Sequence, residues 1–252
     1  MNALLSALLD LVFAPVCLGC DGAIAPADSV RLVCRRCRSL LRALPEPACA
    51  RCGAPRLRTG RLPEPTCGEC RDWPPSLRAA RSACVLHPPG DRLVHRLKYH
   101  GWRALAGFMA ERMAALELPW DVREEAALVV PVPTTRTRLR ERGYNQAGLL
   151  AEALAQRTGR EARPLLERTG ARTTQTALQP AARGANVAGA FRIAGTEAAR
   201  EVRGAHLLLV DDVLTTGATA AECTRTLVSA GARCVSVITF ARALDARRLT
   251  AT

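Results

Sequence analysis

Lysine is nearly absent from this chain of 252 residues. Of its 36 basic side chains, one is lysine, Lys98, and the rest are arginine. No Gly-Lys-Ser/Thr triplet occurs, which excludes the ATP-binding loop that needs one behind a strand. Aromatic residues are sparse too, 3 Trp, 2 Tyr and 4 Phe. That is a thin supply for stacking on successive bases of a single strand. No apolar run reaches the roughly 18 residues that a membrane-crossing helix needs. The apolar start, Met1–Phe13, has no basic residue before it, and Ala14-Pro15-Val16 leads straight into a cysteine motif instead of a small-residue cleavage site. It reads as a short helix packed on the rest of the chain and not as a secretory leader. Long polar tracts are missing as well, and a hydrophobic content of 48% can fill a core. The expectation is a cytoplasmic protein without a membrane span, built as one large domain or as a small one joined to a medium one.

Charge is one-sided, with a net +13. Residues 1–80 hold 11 arginines against 7 acids, residues 81–205 hold 20 basic groups against 12, and residues 206–252 hold 5 against 4. The excess therefore sits in the middle segment. It suits phosphorylated ligands or a polyanion such as nucleic acid, and equally an arginine-biased composition. If bias has removed lysine elsewhere, Lys98 within Leu93–Gly101 (LVHRLKYHG) marks a place that needs a compact ammonium. The alternative is a surface lysine at a helix end.

Cysteine, in contrast, is abundant: 11 residues, eight of them in CxxC pairs. The pairs are Cys17/Cys20, Cys34/Cys37, Cys49/Cys52 and Cys67/Cys70, with 13 residues between the first two pairs and 14 between the last two. Two thiolates two residues apart grip one Zn²⁺ from a tight knuckle, and a second knuckle closes the tetrahedron. Disulfides do not suit a reducing compartment, and a redox dithiol would not recur four times in so short a stretch. Pairing in sequence order gives two closed structural sites, Cys17, Cys20, Cys34, Cys37 and Cys49, Cys52, Cys67, Cys70, although interleaved pairing remains open at this stage. Eight thiolates and two Zn²⁺ would bring the N-terminal module near neutrality, which leaves the middle segment as the basic surface. Cys84, Cys223 and Cys234 stand alone in apolar surroundings and read as packing residues.

The richest stretch is His206–Ala220, HLLLVDDVLTTGATA. Its short apolar run predicts a strand buried on both faces of a parallel sheet. Asp211 and Asp212 follow, then a hydroxyl-rich turn, then a helical pattern. A helix N-terminus with hydroxyls beside it takes a phosphate, whereas carboxylates accept hydrogen bonds from neutral hydroxyls. Together they describe a sugar-phosphate site. VDDVLTTGAT resembles the phosphoribosyl-diphosphate (PRPP) signature of type I phosphoribosyltransferases. The resemblance implies that Asp211 and Asp212 hold the ribose hydroxyls and that Thr215, Thr216, Gly217, Ala218 and Thr219 cradle the 5-phosphate. Val210, Val213 and Leu214 complete the signature, and Mg²⁺ would accompany PRPP.

Taken in order, residues 1–75 read as the apolar helix plus the zinc module, closed by a Trp73-Pro74-Pro75 linker. Residues 76–252 alternate strands and helices. Strands are predicted over 78–86, 126–130, 206–210 and 235–240, and helices over 102–116, from 145 to about 156, and 219–229. That alternation predicts an α/β fold with a doubly wound parallel sheet and a ligand at the carboxyl ends of its strands. Thr134–Gln146 carries Arg136, Arg138, Arg140 and Arg142, read as either a diphosphate or nucleic-acid contact or a solvated charged loop. Arg172–Phe191 reads as a long functional loop. Its Arg172, Gln175 and Arg183 are placed to close over a diphosphate and exclude water.

Four segments together, VHRLKYHG, VPVPTTRTRLRERGYNQ, RTTQTALQPAARGANVAGAF and LLLVDDVLTTGATA, behind a cysteine-rich module, closely resemble the ComF (ComFC-like) competence family. The resemblance implies a double zinc ribbon joined to a phosphoribosyltransferase-like domain, and a link to uptake of single-stranded DNA beside a ComFA-like helicase partner. It makes Asp211 and Asp212 the candidate catalytic pair. PRPP binding extends to Lys98, Arg172 and Arg183. An enzyme with an unidentified acceptor and a non-catalytic PRPP and DNA-binding module both fit these residues.

Overall fold

The computed structural model describes residues 15–25, 28, 32–56, 67–169 and 189–244. The apolar start at Met1–Phe13, and Arg172, Gln175 and Arg183 of the long loop, lie outside the described residues.

Five parallel strands form the central sheet: β1 (Leu77–Val85), β2 (Leu128–Pro131), β3 (Glu161–Ala162), β6 (His206–Leu214) and β7 (Cys234–Arg242), in the order β1-β7-β6-β2-β3. A separate antiparallel pair, β4 (Leu166–Arg168) and β5 (Phe191–Ile193), aligns Arg168 with Phe191 and so brackets the long loop at its base. Helices are α1 (Arg35–Leu40), α2 (Gly90–Tyr99), α3 (Leu105–Ala114), α4 (Trp120–Glu125), α5 (Arg136–Arg142), α6 (Gln146–Thr158), α7 (Thr196–Val202) and α8 (Ala218–Ser229).

The apolar run of β6 explains the doubly wound arrangement. Alternate side chains of a strand point to opposite faces. Leu208 and Val210 join one core with Leu93 of α2, Met109 of α3 and Leu150 of α6. Leu207 and Leu209 join the other with Val202 of α7 and Leu227 of α8. With both faces covered, every position of the run is apolar.

Three sequence expectations change. The arginine-rich stretch is no loop: residues 136–142 form α5, capped by the Thr135 hydroxyl, which accepts from the Arg138 N–H at 3.2 Å, and ended by Gly143 at φ 73°. It buries no residue, so it lacks the apolar stripe by which a helix is recognised. The organising strand runs through the acidic pair to Leu214 instead of stopping at Val210, because Asp211 and Val213 still pair with Thr239 and Ala241 of β7. Finally, Trp73 is no exposed linker residue but is 6% exposed. The cysteine module is part of both cores: Cys17, Leu18 and Cys37 pack in the first, and Cys49, Cys52, Cys70 and Trp73 in the second.

Candidate functional site

The carboxyl end of β6 forms the floor of a cleft of about 470 Å³. Asp211 and Asp212 sit there side by side, and the Asp212 N–H donates to Asp211 Oδ1 at 2.8 Å. Asp212 is 3% exposed. Its partner is the single lysine: Lys98 Nζ, near the end of α2, lies 2.5 Å from Asp212 Oδ2. No donor meets that oxygen in hydrogen-bond alignment, so the contact is charge on charge. Lys98 is thus neither incidental nor remote, although 114 positions separate it from Asp212 in the chain.

The loop after β6 turns at Gly217, whose φ of 80° is favourable only for glycine, and α8 begins at Ala218. Its first-turn N–H groups have no intrahelical acceptor, and the Thr216 hydroxyl accepts from the Ala218 N–H at 3.4 Å. Thr215 and Thr219 line both the cleft and the niche beneath it, which Leu214 and Gly217 share. Val210 does not reach the ligand space. It is fully buried, and its carbonyl accepts from the Val132 N–H at 2.9 Å.

Cations form the opposite wall. Arg138 and Arg142 come from α5, and Arg142 donates to Gln146 Oε1 at 2.9 Å while its guanidinium lies 4.7 Å from the Tyr99 ring centroid. Arg168, at the end of β4, lies 5.4 Å from the Phe191 ring centroid, and its buried Nε finds no hydrogen-bond partner among the described residues. The sequence reading passed over Arg168. The available signal was its place four residues before Arg172, at the mouth of the long loop. Burial lowers the Arg168 pKa, with the charge of Arg138 acting in the same direction.

Burial pushes the Asp211 carboxyl well above the usual carboxylate range, and the charge of Asp212 adds to it. A carboxyl raised in the native state keeps its proton where the unfolded chain has released it. The native state then binds more protons, and stability falls as pH rises above the ordinary carboxylate range. Asp211→Asn is therefore expected to be more stable relative to the parent at pH 7 than at pH 4.5. Thermal unfolding of both proteins across that interval checks the prediction. A gap that does not change with pH would refute it.

The eight CxxC cysteines gather in sequence order. Cys17, Cys20, Cys34 and Cys37 form one cluster, and Cys49, Cys52, Cys67 and Cys70 the other, each with its sulfurs within 4.8 Å of one another. Sγ separations are 3.9 Å for Cys20–Cys34 and Cys49–Cys70, 3.8 Å for Cys67–Cys70 and 3.4 Å for Cys52–Cys67. A tetrahedron with Zn–S bonds of about 2.3 Å has edges of about 3.8 Å. Both clusters fit Zn²⁺ as closed structural sites. Cys84, Cys223 and Cys234 stand outside them, Cys84 and Cys223 fully buried. Among the described residues no helix is long and apolar enough to cross a membrane.

Comparison with known proteins finds two families along the chain. The double zinc ribbon domain family matches residues 8–72, and the phosphoribosyl transferase domain family matches residues 149–250. The DNA utilization protein YhgH of Salmonella typhimurium is 32% identical over 207 residues, covering 78% of this chain and 84% of that protein. The competence protein ComFC of Bacillus subtilis is 25% identical over 246 residues, 89% of this chain and 93% of that one. Among solved structures, an allosteric regulatory enzyme of purine biosynthesis is 23% identical with a TM-score of 0.35, over 55% of this chain and 25% of that one.

Proposed function

This chain belongs to the ComF (ComFC-like) family, and we propose that its cleft binds PRPP with Mg²⁺ and acts as a phosphoribosyl-transfer site. One observation carries the proposal: two adjoining carboxylates, a hydroxyl-bearing turn at a helix N-terminus and a lysine all meet in a single cleft at the carboxyl end of β6. Thr215, Thr216 and Thr219, with the N–H groups opening α8, take the 5-phosphate. Asp211 and Asp212 accept from the ribose hydroxyls. Arg138, Arg142 and Arg168 face the diphosphate, and Arg172 and Arg183 of the long loop are assigned to it by the family resemblance. Carboxylates beside phosphate oxygens suit a hard cation, so Asp211 and Asp212 are the residues that would hold or orient Mg²⁺. When bound, it would neutralise diphosphate charge.

In the transfer, an acceptor nucleophile forms a bond to ribose C1 while the C1–O bond breaks. The electron pair leaves with the diphosphate, and the acceptor's proton passes to solvent. The protein's part is positioning and charge stabilisation. Residues 1–75 serve as the zinc module and 76–252 as the PRPP domain, a functional seam and not a gap in packing. The names of its relatives, a DNA utilization protein and a competence protein, support a place in DNA handling; single-stranded DNA and a ComFA-like helicase are the partners that the family resemblance suggests. Tyr99 and Trp102 favour that reading. They are 60% and 42% exposed, and Arg142 and Arg103, two arginines of the basic middle segment, lie close by.

The test incubates the protein with PRPP and Mg²⁺ and follows diphosphate release against a nucleobase panel, with and without a single-stranded oligonucleotide. Release above the protein-free rate is expected with one acceptor. PRPP binding without release for any acceptor would make the chain a binding module instead. No PRPP binding would discard the site.

A further inference from the structure

We propose that the second cysteine cluster holds the phosphate loop in its binding shape through Trp73, a positioning residue. The inference rests on reading that loop as the sugar-phosphate site. Trp73 Nε1 donates to the Thr216 carbonyl at 3.1 Å. The N–H edge of its indole, a rigid aromatic plate, abuts Gly217: a Cβ built there would fall 2.4 Å from Trp73 Cζ2 and 2.7 Å from Nε1. The loop thus rests against this plate at a position where a side chain would clash. A hydrogen bond from the plate fixes the carbonyl just before it, and the next peptide begins α8. Tilting the plate would therefore re-aim the N–H groups that face the ligand.

The cysteine cluster holds the plate. The Trp73 N–H donates to the Cys70 carbonyl at 3.2 Å. Arg51, which sits inside the Cys49/Cys52 knuckle, spreads its guanidinium over the carbonyls of Cys70 at 3.0 Å, Pro74 at 2.6 Å and Leu77 at 3.0 Å. One arginine thereby ties both knuckles to the segment carrying Trp73. Arg242, at the end of β7, donates to the Cys52 carbonyl at 2.6 Å and anchors the cluster to the sheet. The first cluster braces a different wall: Arg96 of α2 pairs with Asp21 at 2.6 Å, and α2 carries Lys98. Each ribbon supports one side of the cleft, and among the described residues the second reaches the phosphate loop through Trp73.

Trp73→Phe removes the N–H donor and keeps a ring. Amide hydrogen exchange at residues 221–223, the first bonded amides of α8, is expected to accelerate about tenfold, and calorimetry to show PRPP binding about five- to tenfold weaker, with zinc content unchanged. Parental exchange rates at those amides would overturn the brace. If wild-type protein gives no heat with PRPP, the sugar-phosphate reading fails, while the exchange result still judges the brace. Should Trp73→Phe lose zinc, a protein with Trp102→Phe and Trp120→Phe leaves Trp73 as the sole tryptophan, excited selectively over the two tyrosines. Its emission should then shift on saturation with PRPP, and an unchanged spectrum would overturn the inference.

Discussion

The double variant Asp211→Asn, Asp212→Asn is expected to lose PRPP binding by about 100-fold or more while still unfolding cooperatively. In the proposed site each aspartate accepts a hydrogen bond from a ribose hydroxyl, and the carboxylate form that ligand and Mg²⁺ would favour makes each bond worth about 1.5–3 kcal/mol. Losing both corresponds to roughly two to four decades in Kd. The fold should tolerate the change. Asp211 is already pushed toward its neutral form by burial, so an amide there removes an unfavourable charge. Asp212 leaves Lys98 without its counter-ion, but that side chain is 24% exposed and can reach water. Calorimetry with PRPP and Mg²⁺, beside thermal unfolding, separates the two effects. Binding within about threefold of wild type would remove the acidic pair from the site.

Extraction of zinc is expected to have the largest effect on stability, lowering the unfolding midpoint by more than about 10 °C. A structural Zn²⁺ contributes apparent free energies of about 10–16 kcal/mol in isolated zinc fingers. For a chain of this size, each kcal/mol moves the midpoint by about 2–4 °C, so even a fraction of that energy suffices. The loss should not stay within residues 1–75, because Cys17 and Cys37 pack with Leu93 and Leu97, and Cys49, Cys52 and Cys70 with Leu77 and Val130. Two single substitutions discriminate the cause. Cys20 is exposed and Cys84 is buried. If burial alone mattered, Cys84→Ser would cost more. If Cys20 is a ligand, Cys20→Ser should cost more and release zinc. Zinc content and unfolding midpoints of both variants decide, and an innocuous Cys20→Ser would argue against a metal in the first cluster.

Much of this protein was legible because its chemistry is written in short contiguous pieces. A CxxC knuckle needs only two thiols and a turn between them, so four knuckles could be read, whereas the choice between sequence-order and interleaved pairing came from the three-dimensional clusters. The strand, acid pair, glycine turn and helix of 206–229 need nothing outside themselves to be recognised. Where local signal was weak, the reading failed for physical reasons. Helix α5 buries nothing and so shows no stripe. Strands β3, β4 and β5 have two or three residues each, too few for a period. Trp73 beside two prolines looked like a linker because nothing near it in sequence says what its ring will meet.

The sequence alone therefore determined the chemistry on offer: four zinc-type cysteine knuckles, an acidic pair followed by a hydroxyl-rich glycine turn, and a doubly wound sheet to display them. Only the tertiary structure decided which residues act together. Lys98 against Asp212, Arg168 in the cleft and Trp73 against Thr216, 143 positions away, are encounters between side chains on different elements. Each depends on how α2, the β4–β5 pair and the second zinc knuckle pack on one sheet. That packing is set by the summed burial of two cores, and no local pattern of residues carries it.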